Sequence, residues 1–140
     1  MIKGQLSFDF IIAMSFLILF LQSFVAFADG LISDQDVVSI RAQQSAIISQ
    51  IEQTILNGNI ISGADNANIT YLVPKVSAPS GRQMNSCFIL LSTAEDVFIL
   101  ITSTVDFEGI GLITTSKNVS TSILAGKITV NGCEEVVLSK

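Results

Sequence analysis

Histidine and tryptophan are absent from the 140 residues, and cysteine and proline occur only twice each. Without histidine the chain lacks the commonest general base and the commonest metal ligand, which excludes Ser-His-Asp and Cys-His catalysis and the usual zinc sites. Basic residues are also scarce. Seven Lys and Arg stand against twelve Asp and Glu, and nucleic-acid phosphate would repel the resulting net charge of −5. We therefore expect no enzyme, no cofactor or metal site, and no nucleic-acid partner.

Charge of either sign is scarce: 14% of residues are charged and 49% are hydrophobic. Disordered chains have the opposite composition, with few apolar groups and many charges, so intrinsic disorder is excluded. A chain of this length is expected to contain one folded domain. The apolar residues are concentrated near the N-terminus, and their location decides the interpretation.

The longest uncharged run extends from Phe10 to Ala28, nineteen positions in which only two serines and one glutamine are polar. As a helix with a rise of about 1.5 Å per residue it would be roughly 28 Å long, which is close to the thickness of the hydrocarbon core of a bilayer. Lys3 precedes the run and Asp29 follows it. This charge order favours an N-terminus on the inner side of a membrane.

Three interpretations of this run compete: a buried core helix, a cleaved secretory signal, and a helix that the mature protein retains. Ala26-Phe27-Ala28 is an A-x-A pattern at which a signal peptidase could cut. However, the run exceeds the usual 7–15 apolar residues of a secretory signal, and Asp9 dilutes the positive charge that such a leader needs. A core helix is disfavoured because uncharged stretches of this length usually contact lipid.

Residues 3–9 read Lys-Gly-Gln-Leu-Ser-Phe-Asp and lead directly into the apolar run. This sequence resembles the class III signal peptide of archaeal type IV pilins. In that family a short basic leader ends in Gly, the mature chain usually begins with Gln, and a Gln-x-Ser-x-Glu pattern continues into a hydrophobic helix. Gln5, Ser7 and Asp9 occupy these positions, with Asp in place of the more usual Glu. The resemblance covers the first thirty residues and not the remainder of the chain.

The resemblance implies cleavage between Gly4 and Gln5 by a membrane prepilin peptidase. It further implies a structural subunit of an archaeal adhesion pilus, inserted in the cytoplasmic membrane before assembly. A pilus assembly membrane platform and its ATPase would then build identical subunits into an extracellular helical filament at the cell surface. The Gly-Ile-Gly-like start of archaeal flagellins is absent, which favours a pilus. The alternative function is a secreted or membrane-tethered β-rich binding module that does not polymerise.

Gln5, Ser7 and Asp9 are the expected assembly residues. Cleavage would create an α-amine on Gln5, and an acid in lipid is costly unless it is paired. One hypothesis is that Asp9 sets subunit register by pairing with the Gln5 amine of its own or a neighbouring chain. The other is that Asp9 marks the membrane surface and the helix N-terminus, where the helix dipole favours acids.

The sequence divides into four segments: a leader (1–4), a hydrophobic filament-core helix (5–28), an amphipathic helix (29–58) and a β-rich head (59–140). Asp29-Gly30 could be a hinge, or the two helices could be continuous. Ser33 to Asp36 resembles a capping box for a renewed helix, and Asn57-Gly58 is expected to end it. An apolar stripe interrupted by Gln44 comprises Val37, Ile40, Ile47, Ile48, Ile51 and Ile55.

Beyond Ile60, short apolar runs alternate with polar turns, which predicts five to seven strands and an α+β fold. We expect an antiparallel sheet or small barrel packed on the stripe of the amphipathic helix. Pro79-Ser80-Gly81 indicates a loop, and Asn131-Gly132 suits a two-residue type I′ hairpin turn. The predicted strands are 68–73, 87–91, 97–102, 109–115, 120–124, 127–130 and 133–138.

Cys87 and Cys133 are the two cysteines, and an exported head would meet oxidising conditions. We predict a disulfide between the first residue after the terminal turn and a central strand, with two free buried thiols as the alternative. Asn68 and Asn118 begin Asn-x-Ser/Thr triplets and are possible N-glycosylation sites. Asp34 and Asp36 are expected to be solvated charges, because so short a cluster cannot supply the 6–8 oxygens of a calcium site.

Overall fold

The computed structural model describes residues 3–61, 68–94, 98–120 and 127–139. Within these ranges it contains one helix and six strands. These are α1 (Lys3–Ile61), β1 (Asn68–Leu72), β2 (Met84–Ala94), β3 (Phe98–Phe107), β4 (Gly111–Ser120), β5 (Lys127–Asn131) and β6 (Glu135–Ser139). The chain divides into two compact units, Met1–Gln35 and Asp36–Lys140. The predicted α+β fold, a long N-terminal helix followed by antiparallel strands, is confirmed.

Helix α1 includes Gly30, so helical structure continues through the position where a hinge was considered. A Cβ added at Gly30 would meet nothing within 4 Å, which shows that no neighbouring group requires a glycine there. Helix α1 also continues through Gly58 to Ile61, and the predicted end at Asn57-Gly58 is therefore wrong. A glycine costs a helix only about 1 kcal/mol relative to alanine, too little to stop it by itself.

The strands form two antiparallel three-stranded sheets, in the orders β2-β3-β4 and β1-β6-β5. In the described parts of the chain neither sheet closes into a barrel. Of the two predicted architectures, an antiparallel sheet and a small barrel, the antiparallel sheet is therefore confirmed. Strands β2, β3 and β4 are longer than predicted. Ser120 is the last residue of β4 rather than the start of a new strand, and 121–124 lie outside the described residues.

The predicted apolar stripe of the amphipathic segment forms the helical side of the core. Ile40, Ile48 and Ile51 are completely or almost completely buried. They belong to one cluster with residues from both sheets: Ile89, Ile99, Ile101, Val105, Phe107, Ile113, Val119 and Val136. The core of the second unit thus lies between the C-terminal half of α1 and the strands, as expected from the stripe.

The β5–β6 hairpin has a three-residue loop, because Asn131 pairs with Glu135. The two-residue type I′ turn predicted from Asn131-Gly132 is therefore wrong, although Gly132 does adopt a positive φ of 58°. Cys133 lies in the middle of this loop rather than at the start of the last strand. Its bond to Cys87 gives a physical reason for the longer loop, since it holds Cys133 in the turn.

The bond between Cys87 and Cys133 links the two sheets, with Cα atoms 5.7 Å apart. Cys87 belongs to β2, which lies at an edge of its sheet, so the predicted attachment to a central strand is wrong. Val136 of β6 is buried in the core cluster together with side chains of the β2-β3-β4 sheet. The disulfide adds a covalent link between the two sheets to this apolar contact.

We predict that a Cys87→Ser, Cys133→Ser variant loses about 4 kcal/mol of unfolding free energy, the loop-entropy value for a closed loop of this size. Hydrogen exchange of the full chain in detergent should accelerate in β1, β5 and β6 and change much less in β3. Equal acceleration in both sheets would contradict the prediction that the disulfide mainly stabilises the β1-β6-β5 sheet. Reduction of the unaltered protein should add the mass of two hydrogens, and no change in mass would exclude the bond.

Candidate functional site

The candidate site is the apolar segment of α1, which we define as residues 8–28. Its large side chains are exposed on every side of the helix, including Phe10 at 65%, Leu19 at 60% and Phe20 at 68%. By length and composition, the described part of α1 contains a stretch that could cross a membrane, and none of its most apolar eighteen residues is buried. A helix that is apolar all round needs lipid or other protein around it.

Polar side chains within the apolar segment bond to the helix itself. The Ser15 hydroxyl donates to the Ile11 carbonyl at 2.8 Å, and the Ser23 hydroxyl donates to the Leu19 carbonyl at 2.9 Å. Such bonds to the residue four positions earlier satisfy the hydroxyl without water. The two serines are therefore compatible with an apolar environment.

The predicted processing and assembly residues lie on one continuous helical stretch. Gly4, Gln5 and Ser7 belong to the first turns of α1, although the side chains of residues 3–7 lie outside the described set. Asp9 follows one turn after Gln5, and its side chain is exposed. The structure thus places the residues of the motif on one helix end, and the pairing of Asp9 with an amine remains a prediction.

Ala26-Phe27-Ala28, the pattern that a signal peptidase could recognise, lies inside α1. Cleavage there would require this part of the helix to unwind, because the backbone hydrogen bonds of the following turns include these residues. Phe27 itself is 64% exposed. The Gly4–Gln5 bond also lies in α1, so helical structure is common to both candidate cleavage sites.

Asp36 is the first residue of the second unit. Its side chain is only 1% exposed, so the prediction that Asp36 is a solvated charge is wrong. The Ser80 backbone N–H donates to Asp36 Oδ1 at 3.1 Å and the Ser80 hydroxyl donates to Asp36 Oδ2 at 2.5 Å. Arg82 Nε lies 3.3 Å from Asp36 Oδ2. The carboxylate can be buried because an ion pair and two hydrogen bonds replace its hydration.

Arg82 extends this cluster of Asp36, Ser80 and Arg82 to the β3–β4 hairpin. Its Nη1 donates to the Glu108 carbonyl at 3.4 Å, and a Cβ at Gly109 would lie 2.5 Å from the same nitrogen. Gly109 also has a φ of 75°, so the turn needs glycine for its backbone conformation, and the missing side chain leaves room for the guanidinium of Arg82. The cluster ties α1 to two loops of the head.

Gln44, which interrupts the apolar stripe, is completely buried and joins α1 to strands β3 and β4. Its Nε2 donates to the Ser103 carbonyl at 3.0 Å and the Ile113 carbonyl at 3.2 Å. The Thr115 hydroxyl donates to its Oε1 at 3.0 Å. An apolar residue at this position could not form these bonds. The polar interruption therefore fixes the position of the helix on the sheet.

Further side-chain bonds join α1 to the head on both sides of Gln44. Gln43 exchanges two hydrogen bonds with the backbone of Ser77, at 2.8 and 3.0 Å. The Tyr71 hydroxyl donates to Gln50 Oε1 at 2.5 Å, and burial raises the pKa of this phenol. Lys117 forms an ion pair with Glu52. Amide, hydroxyl and charged groups from Gln43 to Glu52 thus orient the head on α1 along about two and a half helical turns.

Comparisons with protein-family models, with curated proteins and with solved structures give no match to this chain. In the described ranges, no group of three or more Cys, Asp or Glu side chains could hold a metal ion. Asn118 is exposed on β4, while the side chain of the other glycosylation candidate, Asn68, lies outside the described residues.

We predict that Asp36→Ala lowers the unfolding free energy by about 1.5–3 kcal/mol, because it removes two hydrogen bonds to a charged group and the partner of Arg82. Asp34→Ala is the matched control. Asp34 is an exposed acid on the same helix, and its loss should change stability by no more than about 0.5 kcal/mol. Thermal unfolding of the full chain in detergent measures both effects. Equal effects of the two substitutions would show that the buried cluster does not stabilise the head.

Proposed function

We propose that this chain is a structural subunit of a type IV pilus-like filament and that it polymerises through the apolar segment of α1. The observation that carries the proposal is the exposure of this segment on every side. Because the described residues of the chain do not cover it, lipid or other subunits must do so. Residues 3–9 resemble a class III leader. This resemblance favours a filament as the final environment of the apolar segment.

Polymerisation would transfer the apolar segment from lipid into a bundle formed by copies of the same helix. This transfer gains little hydrophobic free energy, since lipid tails are as apolar as Leu or Phe side chains. Close packing and specific polar contacts must therefore select the register of neighbouring subunits. Asp9 is the one acid at the start of the apolar segment, and it is the best candidate for such a contact.

Removal of residues 1–4 would be the step that permits assembly. An uncleaved chain carries an additional lysine at this helix end and has no free amine on Gln5. Cleavage after Gly4 removes the lysine and creates the amine next to the apolar segment. The membrane-inserted precursor and the assembly-competent subunit would then differ only at the helix end that carries Asp9.

A membrane-tethered binding module that does not polymerise is the second candidate. It is favoured by one observation on the head, where Phe88 of β2 is 62% exposed. Exposed aromatic residues are frequent in recognition surfaces. The two functions predict different N-termini, because a plain membrane anchor keeps Met1 and a filament subunit begins at Gln5.

We predict that Gly4→Leu blocks removal of the leader, because a protease must approach the backbone closely at the residue before the cut. The intact mass of the chain isolated from its host membrane should retain residues 1–4. Gly30→Leu is the matched control, since a Cβ there meets nothing within 4 Å, and its mass should correspond to a chain that begins at Gln5. A Gly4→Leu chain that still begins at Gln5 would contradict the proposed processing site.

Asp9→Asn should reduce filament yield strongly, because an unpaired amine left in an apolar contact costs about 3 kcal/mol, roughly a hundredfold in the association constant. Asp9→Glu keeps the charge and should retain assembly in part. Asp34→Asn, at another exposed acid of α1, should assemble normally. Filaments sheared from cells and counted by electron microscopy provide the measurement. Normal filament numbers from Asp9→Asn would exclude the pairing.

A further inference from the structure

The β2-β3-β4 sheet has a second face, directed away from the core, which we call the outer face. Side chains alternate along each strand, so the neighbours of buried Ile89, Ile101 and Ile113 lie on this face. The strand pairing arranges them in rows that cross the three strands. Two adjacent rows consist of Phe88, Thr104 and Thr114 and of Leu90, Thr102 and Ser116.

The outer face carries exposed apolar side chains on both of its outer strands. Phe88 and Leu90 of β2 are 62% and 64% exposed, and Leu112 of β4 is 72% exposed. Large apolar side chains grouped on one face are typical of a contact surface. A partner that covers all three must be centred on β3, the strand between β2 and β4.

The polar groups of the outer face tolerate the loss of water. The hydroxyls of Thr104 and Thr114 are hydrogen-bonded to each other at 3.1 Å, so a cover removes water from groups that already have a partner. Among the described residues that point outward from the three strands, Asp106 is the one charged side chain, and it accepts a hydrogen bond from the Asn85 amide at 3.3 Å. The outer face is therefore nearly uncharged.

We propose that the outer face packs against the outer face of a second copy of this chain and thereby joins neighbouring filaments side by side. The chain has a net charge of −5, which opposes the approach of a second copy, and a nearly uncharged face is where this repulsion is weakest. Copies within one filament are related by a screw rotation, whereas the contact of a face with itself has two-fold symmetry. The two copies therefore belong to different filaments, a consequence that rests on the proposed function.

The size of the outer face predicts a contact that is weak singly and effective by repetition. Three strands spaced by about 4.8 Å and ten residues of about 3.4 Å give a face of about 14 Å by 34 Å, or about 500 Å² per copy. Two copies together would bury about 1,000 Å², less than the roughly 1,200–2,000 Å² of stable pairs. A single pair of subunits therefore dissociates readily, whereas two filaments contact each other at many points and stay joined.

Cysteine cross-linking on the surface of host cells tests whether a second copy occupies the outer face. Cys87 and Cys133 are bonded to each other, so Thr102→Cys supplies a single free thiol at the centre of the face. Two-fold symmetry places this position close to its own copy, and a bis-maleimide that spans about 10 Å, the spacing of packed sheets, should join the two. Thr70→Cys, at an exposed position of β1, is the control and should give several-fold less dimer.

Leu90→Lys tests the contact itself, because two-fold symmetry brings the new positive charge into the contact twice. Introduced into the Thr102→Cys chain, it should reduce the dimer to the level of Thr70→Cys. Leu72→Lys, at a leucine of the other sheet that is 73% exposed, should leave the dimer unchanged. A dimer that persists with Leu90→Lys would overturn the proposal. So would cross-links from Thr102→Cys to a different protein, or no cross-link above the control.

Electron microscopy of sheared filaments separates this inference from the proposed function. Filaments of Leu90→Lys should be as numerous as those of the unaltered chain, but they should lie singly rather than side by side. Side-by-side filaments from Leu90→Lys would overturn the inference, and so would the loss of filaments, because the face would then be needed within the filament. Either result leaves the proposed function intact if the unaltered filaments consist of subunits that begin at Gln5. Cross-linked dimers from a host in which this chain forms no filaments would overturn the proposed function and the joining of filaments with it.

Discussion

The structure depends on one constraint: residues 8–28 form an apolar helical segment that the described chain does not bury. On a soluble domain, an apolar stripe is narrow and faces a core, as in the second half of α1, where Ile40, Ile48 and Ile51 are buried. In the first half, exposure of Phe10, Leu19 and similar residues extends round the helix. Water is a poor environment for such a surface, so its function must involve lipid or protein around it.

The head is attached to α1 by polar contacts as much as by apolar ones. Asp36 is held by Ser80 and Arg82 at the start of the second unit, and Gln44 bonds to the two strands beneath it. Apolar packing alone is nondirectional and would allow the helix to slide on the sheet. Buried polar bonds have fixed partners and would be lost on sliding. In a filament subunit, a fixed attachment of the head to the helix would give every copy the same geometry.

Much of this arrangement was predictable because it follows from local patterns. The apolar run, the helical spacing from Ile40 to Ile55 and the alternation of strands and turns all appear in the sequence, and the α+β fold follows from them. The exact partners of polar groups were not predictable. Asp36 looked like a surface acid because its partners, Ser80 and Arg82, are more than forty residues away in the sequence. Likewise, Asn131-Gly132 indicates a turn but not its length, so Cys133 could not be placed inside the loop. That Cys87 lies on an edge strand depends on the pairing order of the strands, which is a long-range property. The resemblance of residues 3–9 to a class III leader is the sequence feature on which the proposal of a filament subunit, rather than a membrane anchor, rests.

A helical reconstruction of filaments purified from the host surface, by electron cryomicroscopy, tests the central claim most directly. The account predicts that residues 5–28 of many copies lie packed against one another along the filament axis, with the β-sheets at the periphery. A filament whose axis is formed by another protein, or by the sheets of this one, would contradict it.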